Sequence, residues 1–332
     1  MKKYLIGADI GGTNTRVSIA SKEKIIIKVV QKTKLEGDEH TVPNQVISLI
    51  DIACQRAKVQ KEEMLALGTG TAGPFKKRDG LLYTVAPNIC GALAKEREVI
   101  PNDWKEIPLQ KDLNKHYGNL RFDNDCVAAV NAERIFGAGQ HKDNFVYATI
   151  STGIGGGIVQ DGKIMRGKNA NAGHLGHIYI AEDGPQCGCG NYGDFEALCS
   201  GTAIARDYGS KTSEKAFIAY RNKEDKAIKI IQRVARNIGR GLASVNAILD
   251  TELFIIGGGM FMNNKDILLP LIKKEFYRSF PALSEEVEII PSPLEDYLGD
   301  IGAFSLVIPK DWIEYWRKIK PWTIAPKPIK LD

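Results

Sequence analysis

Three glycine turns and one carboxylate at a strand end are the parts of this 332-residue chain able to do chemistry. The first turn, Asp9-Ile10-Gly11-Gly12-Thr13-Asn14-Thr15-Arg16, joins two short apolar runs. Adjacent glycines let backbone amides face an anion with no side chain in the way. Thr13 adds a hydroxyl donor. Asp9 can hold Mg²⁺ through water, since that ion keeps much of its hydration shell. The same residues also suit a plain glycine hairpin with Asp9 as turn former. Ser151-Thr152-Gly153-Ile154-Gly155-Gly156-Gly157 repeats the pattern in mid-chain, and Gly257-Gly258-Gly259 supplies a third turn after an apolar strand. Three such turns at equivalent strand ends point to nucleotide phosphates. None is followed by Gly-Lys-Ser/Thr, and none has the dinucleotide-binding spacing, so a clamp between two domains is expected.

The carboxylates are in Asp123-Asn124-Asp125, between the apolar run Leu120-Arg121-Phe122 and a small-residue helix start, Cys126-Val127-Ala128-Ala129. Phosphoryl transfer needs positioning, charge neutralisation and one group to accept the hydroxyl proton. Asp125 is the candidate for that group. The alternative is that Asp123 and Asp125 cap the helix.

The elements that must carry these residues follow from periodicity. Tyr4–Ile10, Thr15–Ala20 and Lys24–Gln31 read as strands, joined too tightly for crossovers and hence antiparallel. Val46, Leu49, Ile50, Ala53 and Cys54 recur at helical spacing. Met64–Leu67 reads as a short strand running into Gly68–Pro74, a glycine density that requires something to approach the backbone closely. The plan then repeats. Strands at Phe145–Ile150, Gly157–Gln160 and Lys163–Met165 precede a helix bearing Ile231, Val234, Ala235, Ile238, Leu242 and Val245, then the strand Leu253–Ile256. Two α/β domains with mixed sheets facing a central cleft are expected, residues 1–122 plus 300–332 and residues 123–299. Asp300–Val307 should form a helix returning to the first domain. The stretch Pro309–Asp332 holds three of the four tryptophans and should lie on the surface or on a partner subunit.

Composition excludes several classes. Apolar residues make up 43% and charged residues 26%, within the globular range. No run is long enough to span a bilayer and the N-terminus enters a strand at once, so a cytoplasmic protein is expected. The net charge of +5 is spread along the chain without a basic motif, which argues against nucleic acid. Cys54, Cys90 and Cys126 stand alone, whereas Cys187, Cys189 and Cys199 cluster as in a metal site.

The two phosphate turns and Ile256–Gly259 resemble the phosphate and adenosine motifs of the sugar kinase, actin and heat-shock ATPase superfamily. Further segments resemble one branch, the ROK family of repressors and kinases. These are Gly70-Thr71-Ala72-Gly73-Pro74, Ala86-Pro87-Asn88-Ile89, Asp123-Asn124-Asp125, Gly173–His177 and Cys187–Gly193, and the likeness covers roughly residues 4–307. The resemblance implies two actin-like (ribonuclease H-like) domains and ATP-dependent phosphorylation of a hexose 6-hydroxyl. It implies Asp125 as base, with Gly73, Asn88, Asn124, His174, His177 and Glu196 around the sugar. It implies Asp9, Gly11, Gly12, Thr13, Asn14, Arg16, Thr152, Gly153, Gly155, Gly156, Gly258 and Gly259 around the nucleotide with Mg²⁺. A homodimer or homotetramer is implied as well.

Three departures from the family matter. Cys90-Gly91-Ala92 stands where a tryptophan is usual after Asn88. The family's zinc ligands, one His and three Cys, correspond to His177, Cys187, Cys189 and Asp194; carboxylate oxygen is an acceptable zinc ligand, though a harder one than thiolate. Such a zinc would be structural, fixing the loop that holds His177 and Glu196. The usual sugar-binding glutamate is replaced by His174. A neutral imidazole accepts one hydrogen bond and donates one, and donation suits the carbonyl of a 2-acetamido group. N-acetylmannosamine is therefore the leading expected acceptor, with glucose next, and loss of sugar affinity in acid is expected from His174. The family's repressors carry an added N-terminal DNA-binding domain, and with a first strand at Tyr4 a kinase rather than such a regulator is expected.

Overall fold

The structure, a computed structural model, describes residues 2–93 and 100–332. The chain divides into two units: Met1–Phe136 with Arg166–Ala172 and Asp296–Asp332, and Gly137–Met165 with Gly173–Glu295. The helix that follows Asp125 packs with the first unit, as does the short return 166–172.

The first unit opens with β1 (Tyr4–Ile10), β2 (Asn14–Ala20) and β3 (Ile25–Lys32), paired antiparallel as the short connections require. Helix α1 (Thr41–Ala57) buries the expected stripe of Val46, Leu49, Ile50, Ala53 and Cys54. Strand β4 (Met64–Thr71) runs parallel to β1 and is longer than its apolar residues suggest, because Gly68 and Gly70 lie inside it. A hairpin of β5 (Phe75–Arg78) and β6 (Leu81–Thr84) follows, then α2 (Leu109–His116) and β7 (Leu120–Asn124), which pairs parallel with β4. Helix α3 (Asp125–Phe136) starts where β7 stops.

The second unit has the same plan. β8 (Phe145–Ile150), β9 (Ile154–Gln160) and β10 (Lys163–Ile164) are antiparallel neighbours. Helices α4 (Phe195–Cys199), α5 (Gly201–Tyr208), α6 (Ser213–Arg221) and α7 (Asp225–Leu249) come next; α7 buries Ile231, Val234, Ala235, Ile238, Leu242 and Val245. Strand β11 (Leu253–Gly257) pairs parallel with β8. After it come α8 (Gly259–Met262), α9 (Lys265–Phe276), α10 (Pro281–Ser284) and β12 (Glu288–Pro291), which completes the sheet beside β11. Each unit has its own apolar core, around Ile6, Ala8, Val17 and Leu49 in one and Val146, Ile150, Ile231 and Phe254 in the other. No helix among the described residues is long and apolar enough to cross a membrane.

The chain returns to the first unit in α11 (Leu298–Ser305), α12 (Lys310–Ile319) and β13 (Ile329–Lys330). β13 pairs parallel with the outer edge of β3, giving the order β13-β3-β2-β1-β4-β7. Trp312, Trp316 and Trp322 are all buried rather than displayed. Trp316 packs against Phe136 and Phe304 at ring-centroid separations of 6.0 and 5.8 Å, and its indole N–H donates to the Lys22 carbonyl at 2.9 Å. Arg317 Nε donates to the Ile135 carbonyl at 2.8 Å, satisfying an acceptor at the end of α3. Truncating Trp316 to Ala removes a fully buried aromatic side chain and should cost about 3–5 kcal/mol. Urea unfolding of both proteins measures this, and an unchanged midpoint would refute the packing role.

Candidate functional site

The register of the first sheet brings the predicted carboxylates into one row. Arg16 pairs with Asp9 across β2 and β1, Asp9 with Gly70 across β1 and β4, and Gly70 with Asp123 across β4 and β7. Side chains in register on adjacent strands share a face, and Gly70, with none, leaves the row open at its centre. A Cβ on Gly70 would sit 3.6 Å from the Cα of Asp125. The Arg16 guanidinium lies 3.7 Å from Asp9. Gly299 in α11 completes the corner, since a Cβ there would come within 3.0 Å of both Arg16 Nη1 and Asp9 Oδ2.

Two carboxyls here are electrostatically stressed. Burial, opposed by Arg16 and aided by Asp125 and Asp300, pushes the Asp9 carboxyl up to about 7. Burial also pushes Asp125 above its usual range, against the pull of the Cys126 amide. That amide donates to Asp125 Oδ1 at 2.7 Å and to Asn124 Oδ1 at 2.9 Å. Asn124 is therefore the N-cap of α3, although the capping alternative in the sequence named the two aspartates. Its side-chain amide lies 3.5 Å from the Thr71 carbonyl.

The first turn is closed by Gly11 N–H donating to the Asn14 carbonyl at 3.0 Å and by Thr33 Oγ1 donating to the Gly11 carbonyl at 2.7 Å. The amides of Gly12 and Thr13 have no acceptor among the described residues. Asn88 lies against this turn, so close that a Cβ on Gly12 would meet its carbonyl oxygen at 2.7 Å. Gly73 lies in the link between β4 and β5.

In the second unit, Ser151 N–H donates to the Gly153 carbonyl at 2.9 Å, and the amides of Thr152 and Gly153 are left without an acceptor among the described residues. Gly155 and Gly156 are not loop residues: they pair with Thr149 and Ala148 inside the sheet. A Cβ on Gly156 would strike the Leu175 side chain at 2.4 Å, so packing accounts for that glycine. Gly258 has φ of +92° and stands against the backbone of Ile150, two independent reasons for glycine. Gly11 and Gly259 are different. Their nearest neighbours would stand 3.5 and 3.9 Å from a Cβ, and neither has a positive φ. Nothing in the fold requires glycine at either position, and each leaves backbone open to a bulky anion.

The predicted sugar and metal residues of the second unit also converge. Glu196 Oε2 accepts from the Ile154 amide at 2.7 Å, tying this carboxylate to the second turn. The liganding atoms of His177, Cys187, Cys189 and Asp194 lie within 4.8 Å of one another. Asp194 divides its carboxylate: Oδ1 caps α4 by accepting from Ala197 N–H at 2.8 Å, while Oδ2 lies 3.2 Å from His177 Nδ1 and 3.5 Å from Cys189 Sγ. Burial works against ionisation of Asp194, but the His177 and Ala197 bonds outweigh it and hold the carboxyl below its usual range. The Asp194 bond in turn raises His177. Burial pushes the Cys187 thiol up. Cys199 is fully buried in α4, outside the cluster. The ring of His174 stacks on His177 with centroids 6.0 Å apart. Burial, with the His177 charge adding, lowers the His174 pKa, so its neutral form persists further into acid than an ordinary imidazole.

Four residues were missed by sequence reasoning. Asp300 of α11 is buried, accepts from Ser18 Oγ at 2.6 Å and pairs with Lys28. Gly299 has no signal apart from the fold. Arg166 Nε donates to Asp123 Oδ2 at 2.7 Å, and Asn171 bonds the backbone of Phe75. A lone arginine and asparagine in a loop carry no periodicity that could have marked them.

Paired glycine turns on two sheets that share a five-strand order, β3-β2-β1-β4-β7 and β10-β9-β8-β11-β12, define an actin-like ATPase fold. The model of the ROK family matches residues 5–310, and the chain belongs to that family. It is 32% identical over 328 residues to a glucokinase of Thermotoga maritima, covering 92% of this chain and 98% of that one. The ROK hexokinase structure of Thermus thermophilus is similar with a TM-score of 0.75 and 30% identity, covering 91% of this chain and 97% of that one. A ROK glucokinase of Streptomyces griseus solved with glucose and AMPPNP gives 0.69 and 27%, with coverages of 90% and 97%. The enzyme class is that of an ATP-dependent hexose kinase.

Replacing Asn124 with Ala removes the cap of α3 and should cost about 1 kcal/mol of stability. Thermal unfolding of the variant reads this directly, and no change would mean that the Asp125 carboxylate caps the helix alone.

Proposed function

We propose that the chain transfers the γ-phosphate of ATP to the 6-hydroxyl of a hexose, with Asp125 as the base. The observation that carries this is the Asp125 carboxylate: it heads α3, its proton affinity is raised by burial, and it stands beside the Asp9–Gly70–Asp123 row. A base works best when its pKa is brought toward the working pH, and burial moves Asp125 in that direction. Asp125 accepts the proton as the hydroxyl oxygen bonds to phosphorus, while the bond from phosphorus to the bridging oxygen breaks and ADP departs. The unpaired amides of Gly12 and Thr13, and those of Thr152 and Gly153, suit phosphate oxygens, with Gly11, Asn14 and Gly153 shaping the turns. Gly258 and Gly259 suit the adenosine side. Asp9, kept partly ionised by Arg16, suits Mg²⁺ through water, and that ion would neutralise charge on the transferring group.

The acceptor we propose is glucose, the sugar named for the Thermotoga relative and bound in the Streptomyces structure. Asn88, Asn124, His174, His177 and Glu196 would be its polar contacts, beside Gly73. N-acetylmannosamine is a second reading, and His174 favours it: held neutral by burial, its ring can donate to an acetamido carbonyl where a carboxylate could not. A coupled assay with ATP and a panel of hexoses should show the highest kcat/KM on glucose. Preference for the N-acetyl sugar would reverse the choice, and no turnover on any hexose would overturn the proposal. In the same assay Asp125→Ala should lose about 10²–10⁴-fold in kcat with ATP affinity kept within about twofold. A fully active variant would sink the base.

The four-residue cluster is proposed as a zinc site. Its donor set fits, with one oxygen of Asp194 committed to α4 and the other left to the cluster. Tetrahedral bonds of about 2.0–2.3 Å set ligand atoms about 3.3–3.8 Å apart, and Asp194 Oδ2 already stands 3.2 Å from His177 Nδ1 and 3.5 Å from Cys189 Sγ. The ion would brace the loop that carries His177 and lies next to Glu196. Metal analysis of protein purified without chelator should find close to one zinc per chain, and Asp194→Asn should lower it; less than half an equivalent in the parent would count against the site.

A further inference from the structure

The short segment 166–172 belongs to the first unit, although the chain on both sides of it belongs to the second. It is a closed loop, with Ala172 N–H donating to the Arg166 carbonyl at 3.1 Å. Three anchors fix it. Ala170 is buried in the apolar core of the first unit. Asn171 mimics a strand partner of Phe75, accepting from its N–H at 2.8 Å and donating to its carbonyl at 2.9 Å. Arg166 Nε donates to Asp123 Oδ2 at 2.7 Å, a charge-assisted bond to a carboxylate that is only 7% exposed. The other oxygen, Asp123 Oδ1, accepts from the Asn124 amide at 3.0 Å. One buried carboxylate thus joins Arg166 to the peptide that leads into Asp125.

We infer that Arg166 is a positioning residue for the phosphoryl transfer, acting through Asp123 on the β7–α3 junction that carries Asp125. The inference rests on Asp125 being the base. Asp123 is fixed at both oxygens only while Arg166 is present. Without it, a carboxyl already pushed up by burial loses the charge that draws it back and is held at one oxygen only, which loosens the junction. Asp125 Oδ1 shares the Cys126 amide with Asn124, so a turn of the junction moves the base directly. The loop also ends at Ala172, two residues before His174, so the chain that fixes the base continues into the segment proposed to meet the sugar. A displacement near 1 Å in a reacting group can cost about 10²-fold in rate.

The test is steady-state kinetics of the full chain with ATP and glucose for Arg166→Ala, Arg166→Lys, Asp123→Asn and the Arg166→Ala/Asp123→Asn double variant. Arg166→Ala should lower kcat about 10–100-fold, with KM for ATP within about twofold of the parent. Arg166→Lys, which keeps the charge and one donor, should recover several-fold of that loss. The double variant should be no slower than the slower single one, because both substitutions remove the same bond. Parent-like kcat in Arg166→Ala, failure of Lys to rescue, or multiplied losses in the double variant would each overturn the inference. If Arg166→Ala does not fold, Arg166→Gln replaces it, keeping a donor without the charge, and parent-like kcat there is equally fatal. Full activity of Asp125→Ala would remove the base beneath the inference, a result that no member of the Arg166 series can produce.

Discussion

The first unit is organised by the contact of α11 with two glycines in its sheet. A Cβ on Gly68 would lie 2.0 Å from the Ala303 carbonyl oxygen, and one on Gly7 would meet Ala303 and Phe304 at 3.2–3.3 Å. At Gly68 the helix backbone therefore rests directly on the strand, and at Gly7 the Ala303 and Phe304 side chains occupy the space a side chain would need. Helix α3 packs beside it with equally small residues, Ala128 against Gly302, and the pair is bonded by Ser305 Oγ to the Ala128 carbonyl and by Asn131 Nδ2 to the Ser305 carbonyl. One consequence is positional. The N-terminus of α11 brings Gly299 to Asp9 and Arg16, and the N-terminus of α3 brings Asp125 to Gly70. A side chain at Gly68 would lift α11 and disturb both.

Close packing has an electrostatic consequence. Three carboxylates, Asp9, Asp125 and Asp300, interact within this unit, and the burial that makes the packing tight also removes their water. They are compensated unequally. Asp300 has Lys28 and a hydroxyl from Ser18. Asp9 has only a 3.7 Å contact with Arg16, and its carboxyl rises to about 7. Asp125 has a shared backbone amide. Burying a charge without a full set of partners costs stability, and the two under-compensated groups are Asp9, beside the first glycine turn, and Asp125, at the head of α3. This arrangement holds proton affinity where the proposed phosphoryl transfer would use it.

Much of this was legible in the sequence, and what was not has a physical reason. Period-two and period-3.6 patterns gave β1–β3, α1, α7 and β11, because burial on one face leaves a trace along the chain. The repeated sheet plan was legible for the same reason. The meaning of individual glycines was not. The glycines of 68–74 called for something close to the backbone, and at Gly68 it is Ala303 of α11, 235 residues on (303 − 68), a partner that no local pattern reveals. The tryptophan tail read as a surface extension; its rings are buried on Phe136 and Phe304, and β13 covers the edge of β3. At the candidate metal cluster, the likeness to the family gave the set His177, Cys187, Cys189 and Asp194, whereas the clustering of cysteines alone points to Cys199, which lies outside it. The double duty of Asp194, as ligand oxygen and helix cap, needed the coordinates of α4.

Sorting the glycines by cause sharpens the site further. Gly12, Gly156 and Gly258 are each explained by something in the fold: Asn88, Leu175 and the backbone of Ile150. Gly11 and Gly259 are explained by nothing within the chain. A glycine lowers stability relative to alanine by enlarging the freedom of the unfolded chain, so an unconstrained glycine is a cost without a structural return. At these two turns the proposed nucleotide would supply that return. Both positions adjoin turns in which two successive amides lack acceptors or in which a short helix begins, and these are the places where an approaching phosphate or nucleoside would be excluded by a methyl group. At these turns the distinction separates glycines that the fold explains from two that would suit the proposed nucleotide site.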